Sequence, residues 1–505
     1  MAQLARKVLK NTAFSSSGVI ISGIGGLIFT AVLARLLDPE LFGIYYLALS
    51  VAFILMAFTD LGVNRTMIRY VSYALGKDNK TLARSFFRYL LKIKFLFAFV
   101  SSLAVIIFAK PLSIYLFHKP DLFFPLMIVG IFLFFFSFLD FVSGAFVALQ
   151  KFQYPAARNV IYEVLRLTIV PSFIIFGYSV CGALIGLSLV VILTFAVLLF
   201  LLVRKYPYLF KGGTVKVEKR RILRFLGYLT FSTLVAGLFF HQIDILMLGI
   251  LLTTEDVGFY TAAFNMVFAF MGLISATTVL FPVFTQLEGD ELKNAFEKTF
   301  KYLSMFAFPC AFGLMFMANP VIKVVYGEEY LAAVTPFYVL CLLILIAPLN
   351  FFSTLFESKE KPKYPALVVV IASGLNVVLN YIFILKFGMI GAAIATLIAR
   401  YFNNITLALL SKRILNIFPS SHVVYKPLFS SFAMSVFLYF MPDPATILDG
   451  VIEIISAAAI YISTMFLIKG IDKEDIKYFS AIVGQEERLM RAYDLMDDKL
   501  RRSER

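Results

Sequence analysis

The sequence predicts an all-α polytopic membrane protein with about fourteen transmembrane helices. Three observations lead there. Of 505 residues, 61% are hydrophobic and only 15% charged; the mean hydropathy is +0.88; and the polar minority falls in short clusters between long apolar stretches. A soluble globular chain is closer to half apolar and a quarter charged. Lipid must therefore act as solvent for much of this surface.

A spanning helix needs about 20 largely apolar residues. Along the chain, such segments lie near 14–37, 41–63, 89–109, 122–148, 159–177, 182–203 and 225–251. Seven more lie near 257–282, 302–320, 332–357, 364–385, 390–410, 424–441 and 450–468. The thirteenth is the weakest, because Lys426 and Pro427 interrupt its start. At the N-terminus, Arg6, Lys7 and Lys10 precede an apolar run too long for a cleavable signal peptide. That run reads as a retained first helix.

Lysine and arginine orient the spans. With the N-terminus placed in the cytoplasm, 39 of the 46 basic residues fall in inner segments. Only Arg35, Lys110, Lys119, Lys323 and Lys386 fall outside, and Arg166 and Arg400 remain in the membrane. This imbalance satisfies the positive-inside rule and puts both termini in the cytoplasm of a cell-membrane protein. It also accounts for the net charge of +15 without invoking nucleic acid. The outer loops are short, Thr253 to Asp256 among them, and leave no room for an external catalytic domain. Cys181, Cys310 and Cys341 have no close spacing, so they form neither a metal motif nor a disulfide framework and read as small buried hydrophobes. Tryptophan is absent, so interfacial anchoring falls to Tyr, Lys and Arg.

The chain also repeats itself. Glu40, Gly43, Tyr45 and Ala48 recur as Glu255, Gly258, Tyr260 and Ala263, an offset of 215. Further on, Lys151, Tyr154, Pro155 and Ala156 match Lys361, Tyr364, Pro365 and Ala366, and Gly182 to Ile185 matches Gly391 to Ile394. The unit contains six spans, and an even number gives two halves of parallel topology. The expected organisation is a six-helix lobe over 1–203, a basic linker over 204–224 and a second six-helix lobe over 225–410. Two additional helices over 411–468 and a charged tail over 469–505 follow. Partly amphipathic, the tail is expected to lie on the cytoplasmic surface.

Leu33-Ala-Arg35, Phe42-Gly-Ile-Tyr45 and Asp60-Leu-Gly-Val63 with Arg69 resemble the opening of the polysaccharide transporter family. Asp244 to Gly249, Leu375 to Asn380 and Phe387 to Ile394 are similar to its later segments. The resemblance covers spans one to twelve. It implies a member of the multidrug/oligosaccharidyl-lipid/polysaccharide flippase superfamily, on the branch similar to O-antigen and lipid-linked oligosaccharide flippases. Two six-helix lobes around a central cavity would then exchange between inward- and outward-facing states. Multidrug relatives often carry an acidic residue in the first span, and 14–37 contains none.

Ionisable groups at bilayer depth cost about 2.5–3.5 kcal/mol on insertion scales unless partnered or facing a cavity. They are therefore the candidate site. Arg400, with Asn403 and Asn404 on the same helix face, and Arg166 are candidate substrate residues, because guanidinium matches diphosphate oxygens. For Arg400 the competing reading is a buried salt bridge to another helix, with Asp140 as partner; for Arg166 it is a structural pair with Glu163. Asp244, His241, Asp140 and Glu163 are coupling or cavity candidates. Asn376 and Asn380 read first as interhelical packing, and Asp60 as a partner for Arg65 or Arg69.

The expected function is a flippase carrying a polyprenyl-diphosphate-linked oligosaccharide to the outer leaflet. The alternatives are a peptidoglycan-precursor flippase and a multidrug or cation antiporter. No cofactor is expected, beyond a coupling proton or sodium ion. No Gly-x-x-x-x-Gly-Lys motif is present, which argues against direct use of ATP. The expected partners are the lipid-linked glycan, the bilayer and glycan-assembly proteins, with the protein itself a monomer. It is not expected to be an enzyme.

Overall fold

The computed structural model describes residues 21–220, 242–274 and 287–472, with positions 222, 223, 226, 227, 230, 284 and 475. Among these the chain is helical and contains no strand. The first half comprises α1 (Ile21–Leu36), α2 (Pro39–Asp60), α3 (Val63–Gly76), α4 (Lys80–Pro111), α5 (Phe123–Ala148), α6 (Gln153–Phe173) and α7 (Ser179–Lys205). The second half comprises α8 (Ile243–Leu251), α9 (Thr254–Ile274), α10 (Gly289–Phe316), α11 (Ala318–Val325), α12 (Val334–Cys341), α13 (Phe351–Ser358) and the long α14 (Lys363–Ile414). α15 (His422–Phe440) and α16 (Ile447–Leu467) close the described chain.

Each expected span overlaps a helix. The seventh is described at 226, 227 and 230 and then from 242, and the eighth only to Ile274. Two continuous helical stretches, Gln153–Lys205 and Lys363–Ile414, are more than 50 residues long. At 1.5 Å per residue each would exceed twice the hydrocarbon thickness of about 30 Å. Both fold back on a glycine in the left-handed region: Gly177 at φ 89° and Gly388 at φ 59°. The two breaks occupy matching places in the sequence repeat, so the duplication is visible in the backbone.

Local signals explain the other ends. α2 starts where the Asp38 carboxylate accepts the Leu41 N–H at 2.8 Å and Pro39 occupies the first turn. It stops at Leu61 and Gly62, both at positive φ, and the chain turns into α3. That helix is amphipathic, burying Val63, Met67, Val71 and Ala74 and exposing Arg65, Arg69 and Tyr73.

Two expectations need correction here. Asp60 has Lys94 of α4 as its partner, at 3.1 Å, with the Lys94 side chain only 1% exposed. Proximity in sequence favoured Arg65 and Arg69, but α3 turns both onto its exposed face. The thirteenth span is also not interrupted. α15 runs through Lys426 and Pro427, with Pro427 inside its second turn, and the Lys426 ammonium reaches out to the Lys469 carbonyl at 2.7 Å.

α2 and α5 pack with α4 and α7 in the first half, and α9, α12 and α14 pack together in the second. The halves meet along a seam between α2 and α9, with α8 also against α2. α15 and α16 lie against α10 through Met317, Met434, Leu438, Ala457, Tyr461 and Met465, and Tyr461 donates to the Met305 carbonyl at 2.9 Å.

Candidate functional site

At one end of the seam, small residues and backbone carbonyls do the joining. A β-carbon at Gly43 would lie 1.8 Å from the Thr254 carbonyl oxygen, and one at Gly258 would lie 2.0 Å from that of Pro39. Around this crossing, Arg35 donates to the carbonyls of Val324 and Val325 at the end of α11. Lys119 donates to those of Gly249, at 2.7 Å, and Leu252, at 2.8 Å, at the end of α8. In return Tyr330 donates to the Leu37 carbonyl at 3.0 Å. Two first-half cations thus cap the carbonyl ends of two second-half helices, where the helix dipole is negative. Burial lowers the Lys119 ammonium from its usual range, and the nearby Asp256 carboxylate pulls it partly back.

In the first half, Arg166 and Glu163 form an ion pair one turn apart, at 2.6 Å. The guanidinium lies 4.3 Å from the ring centroid of Phe29 and 5.4 Å from that of Tyr162. Such faces hold a cation with about 0.5–2 kcal/mol each. Gly25 leaves the room: a β-carbon there would come within 2.8 Å of the Glu163 carboxylate. Arg166 therefore has the structural partner that was one of its two readings, on α6, which packs mainly against α7.

In the second half, Arg400 lies 4.8 Å from the Phe268 ring centroid, and the Asp244 carboxylate acts on it electrostatically. Asp140 belongs elsewhere: it accepts from Asn64 at 2.5 Å and from Arg158 at 3.4 Å within the first half. Asp140, the partner named in the competing reading of Arg400, thus pairs within the first half, while Arg400 lies beside Phe268 and Asp244 in the second. Asn404 is buried beyond Arg400, and the Asn403 Oδ1 is buried with no partner among the described residues. His241 lies outside the described residues.

The densest polar knot surrounds Asp244. Asn380 donates to its Oδ1 at 2.7 Å, while Thr396, at 2.5 Å, and Tyr260, at 3.0 Å, donate to its Oδ2. Asn376 continues the network to Thr396 at 3.3 Å. Asp244 is 5% exposed, and the Asn380 Oδ1 is buried without a partner among the described residues. Asn376 and Asn380 are thus more than packing. Tyr260 and Thr396 were missed. The available signals were that Thr396 precedes Arg400 by one helical turn and that the repeat aligns Tyr260 with Tyr45.

Residues 8–288, more than half of the chain, match the profile of the polysaccharide biosynthesis protein family. The chain belongs to this family. Its later part, residues 260–466, matches the profile of the lipid II flippase MurJ. Among relatives, the probable low-salt glycan biosynthesis flippase Agl15 of Haloferax volcanii is 27% identical over 195 residues, 37% of this chain and 40% of that one. This chain thus spans well under half the length of that relative. An uncharacterized membrane protein of Methanocaldococcus jannaschii is 22% identical over 383 residues, 70% of this chain and 74% of that one. The solved structure of lipid II flippase MurJ in an inward closed conformation superposes with a TM-score of 0.75 at 18% identity, covering 90% of this chain and 98% of that one. At that identity the likeness establishes the fold.

For this polysaccharide biosynthesis family member, the structure separates the site into three groups. Arg166 with Glu163 lies in the first half, Arg400 with the Asp244 knot lies in the second, and a capped seam joins the halves at one end. Among the described residues, no three His, Cys, Asp or Glu side chains gather as a metal cluster. The Asp244 knot gathers one carboxylate with two hydroxyls and an amide, whose hydrogens point at the carboxylate.

Proposed function

We propose that the protein is a flippase that moves a polyprenyl-diphosphate-linked oligosaccharide from the cytoplasmic to the outer leaflet by alternating access. One observation carries the reading: Arg400 holds a guanidinium at bilayer depth on the face of Phe268, while Arg166 in the first half is already paired with Glu163. A fixed guanidinium group matches a diphosphate and opposes a cationic drug. An apolar cleft of about 460 Å³ between α10, α15 and α16, bordered by Phe270, Gly313, Met434 and Ala457, suits the prenyl chain. The basic-residue count supports a cell-membrane location with cytoplasmic termini and places the capped seam on the outer side. The lobes, linker and tail keep the boundaries given above. The protein acts as a monomer, without enzymatic chemistry, beside the proteins that assemble its glycan.

We assign the Asp244 knot to a coupling cation that travels as cargo. Asp244, Thr396, Tyr260 and the unpartnered Asn380 Oδ1 supply four oxygens and one negative charge, which fit a sodium ion. The alternative, supported by the match of residues 260–466, is a peptidoglycan precursor, which presents the same prenyl diphosphate. The test is reconstitution in liposomes with fluorescent prenyl-diphosphate oligosaccharide, peptidoglycan precursor or a cationic dye, with and without a sodium gradient. Flipping of the oligosaccharide lipid that is lost in Arg400→Ala is expected. Transport of the dye alone would falsify the reading.

A further inference from the structure

Helix α8 has the Asp244 knot at one end and the seam at the other. Asp244 is its second residue. At its last turn, Lys119 donates to the Gly249 carbonyl at 2.7 Å and, just beyond the helix, to that of Leu252 at 2.8 Å. Gly249 is also where the first half presses in: a β-carbon there would lie 2.2 Å from a methyl carbon of Leu47 on α2. The first half therefore grips the end of α8 twice, by charge and by shape.

The helix is short and bounded by non-helical residues at both ends. Its nine residues span about 13 Å. Gln242 before it is non-helical, at φ −125° and ψ −4°, and Leu252 after it is extended, at φ −127° and ψ −172°. With helical hydrogen bonds inside and breaks at both ends, displacement of Asp244 moves Gly249 rather than bending the helix between them.

At the knot, Asn380, Thr396 and Tyr260 all point hydrogens at the carboxylate. A cation needs lone pairs there instead. Both hydroxyls must turn, Asn380 must present its Oδ1, and Asp244 must exchange its three donors for the ion. The position of Asp244 thus differs between the two arrangements, and α8 is the element that carries it.

We propose that α8 is a rod linking the two sites, so that occupancy of the Asp244 knot sets the strength of the Lys119 latch. The inference rests on the coupling-cation reading above. Linkage makes it reciprocal: the factor by which the cation shifts the seam is the factor by which the seam shifts cation affinity. The other seam contacts, Arg35 on Val324 and Val325 and Tyr330 on Leu37, do not touch α8. They provide an internal control.

The experiment uses the full chain in nanodiscs, with its three cysteines replaced by alanine and spin labels at Tyr115→Cys and Glu329→Cys. The distance distribution across the seam is measured in sodium and in choline, alongside binding of radioactive sodium. Sodium is expected to change the closed-to-open ratio at least threefold in the parent. Lys119→Met should abolish that change while sodium still binds, with an affinity altered by a similar factor. Arg35→Met should loosen the seam and keep the sodium response. A full sodium response in Lys119→Met with sodium still bound overturns the rod and leaves the cation reading standing. A parent that binds no sodium removes the cation reading and the rod together.

Discussion

Gly43 and Gly258, equivalent residues of the two repeats, face each other across the seam, each within 2.0 Å of a carbonyl oxygen of the opposite helix once given a β-carbon. The crossing of α2 and α9 therefore tolerates no side chain, and the duplicated glycines mark where the halves touch.

Gly43→Ala and Gly258→Ala should each wedge the seam. Overpacking against backbone costs about 1–3 kcal/mol, enough to shift a closed seam roughly 5- to 150-fold toward open. Maleimide labelling of a Leu37→Cys reporter, buried while the seam is closed, should rise in both variants. Unchanged labelling would mean that the helices separate elsewhere.

Arg400→Ala should lower flipping of the oligosaccharide lipid by at least about tenfold, and Arg400→Lys should restore it only in part. An ammonium keeps the charge but loses the planar, bidentate match to phosphate oxygens and the stacking on Phe268. Full activity in Arg400→Lys would reduce the residue to a point charge.

Asp244→Asn should remove the dependence of transport on a sodium gradient, and Thr396→Val should weaken sodium binding by about tenfold, by deleting one oxygen while conserving shape. Uptake measured across a series of sodium concentrations separates the two, because the first variant loses the response and the second shifts its midpoint.

The apolar cleft predicts discrimination by chain length. Gly313 has open space beside it, with a Met434 methyl carbon 3.8 Å from where a β-carbon would stand, so Gly313→Leu should narrow the groove without disturbing the backbone. Its apparent KM should rise for a long prenyl carrier and stay constant for a short-chain analogue. Equal effects on both would place the lipid tail elsewhere.

Lys94→Met should lower the thermal unfolding midpoint in detergent, because it strands Asp60; breaking such a buried pair costs up to about 3–5 kcal/mol, less here because Asp60 is partly exposed. Adding Asp60→Leu should recover much of the loss. Failure to recover would show that the pair is needed for more than charge balance.

The sequence by itself determined that the protein spans a membrane many times, where most spans lie, and that it is built from a duplicated six-span unit. Those features are local: hydropathy is summed over a single segment, and the repeat shows as matching residue patterns, with glycines paired at 43 and 258 and at 182 and 391. It also marked Arg166, Arg400 and Asp244 as costly groups at bilayer depth. Only the tertiary structure decided their partners. Asp60 went to Lys94 rather than its sequence neighbours, Asp140 to Asn64 and Arg158 rather than Arg400, and Asn380 and Thr396 to Asp244. The reason is physical. A buried charge is satisfied by whichever donor packing brings within about 3 Å, and which helix faces which is set by many weak contacts along the whole chain, as α8 shows by joining Asp244 to Lys119 across the seam.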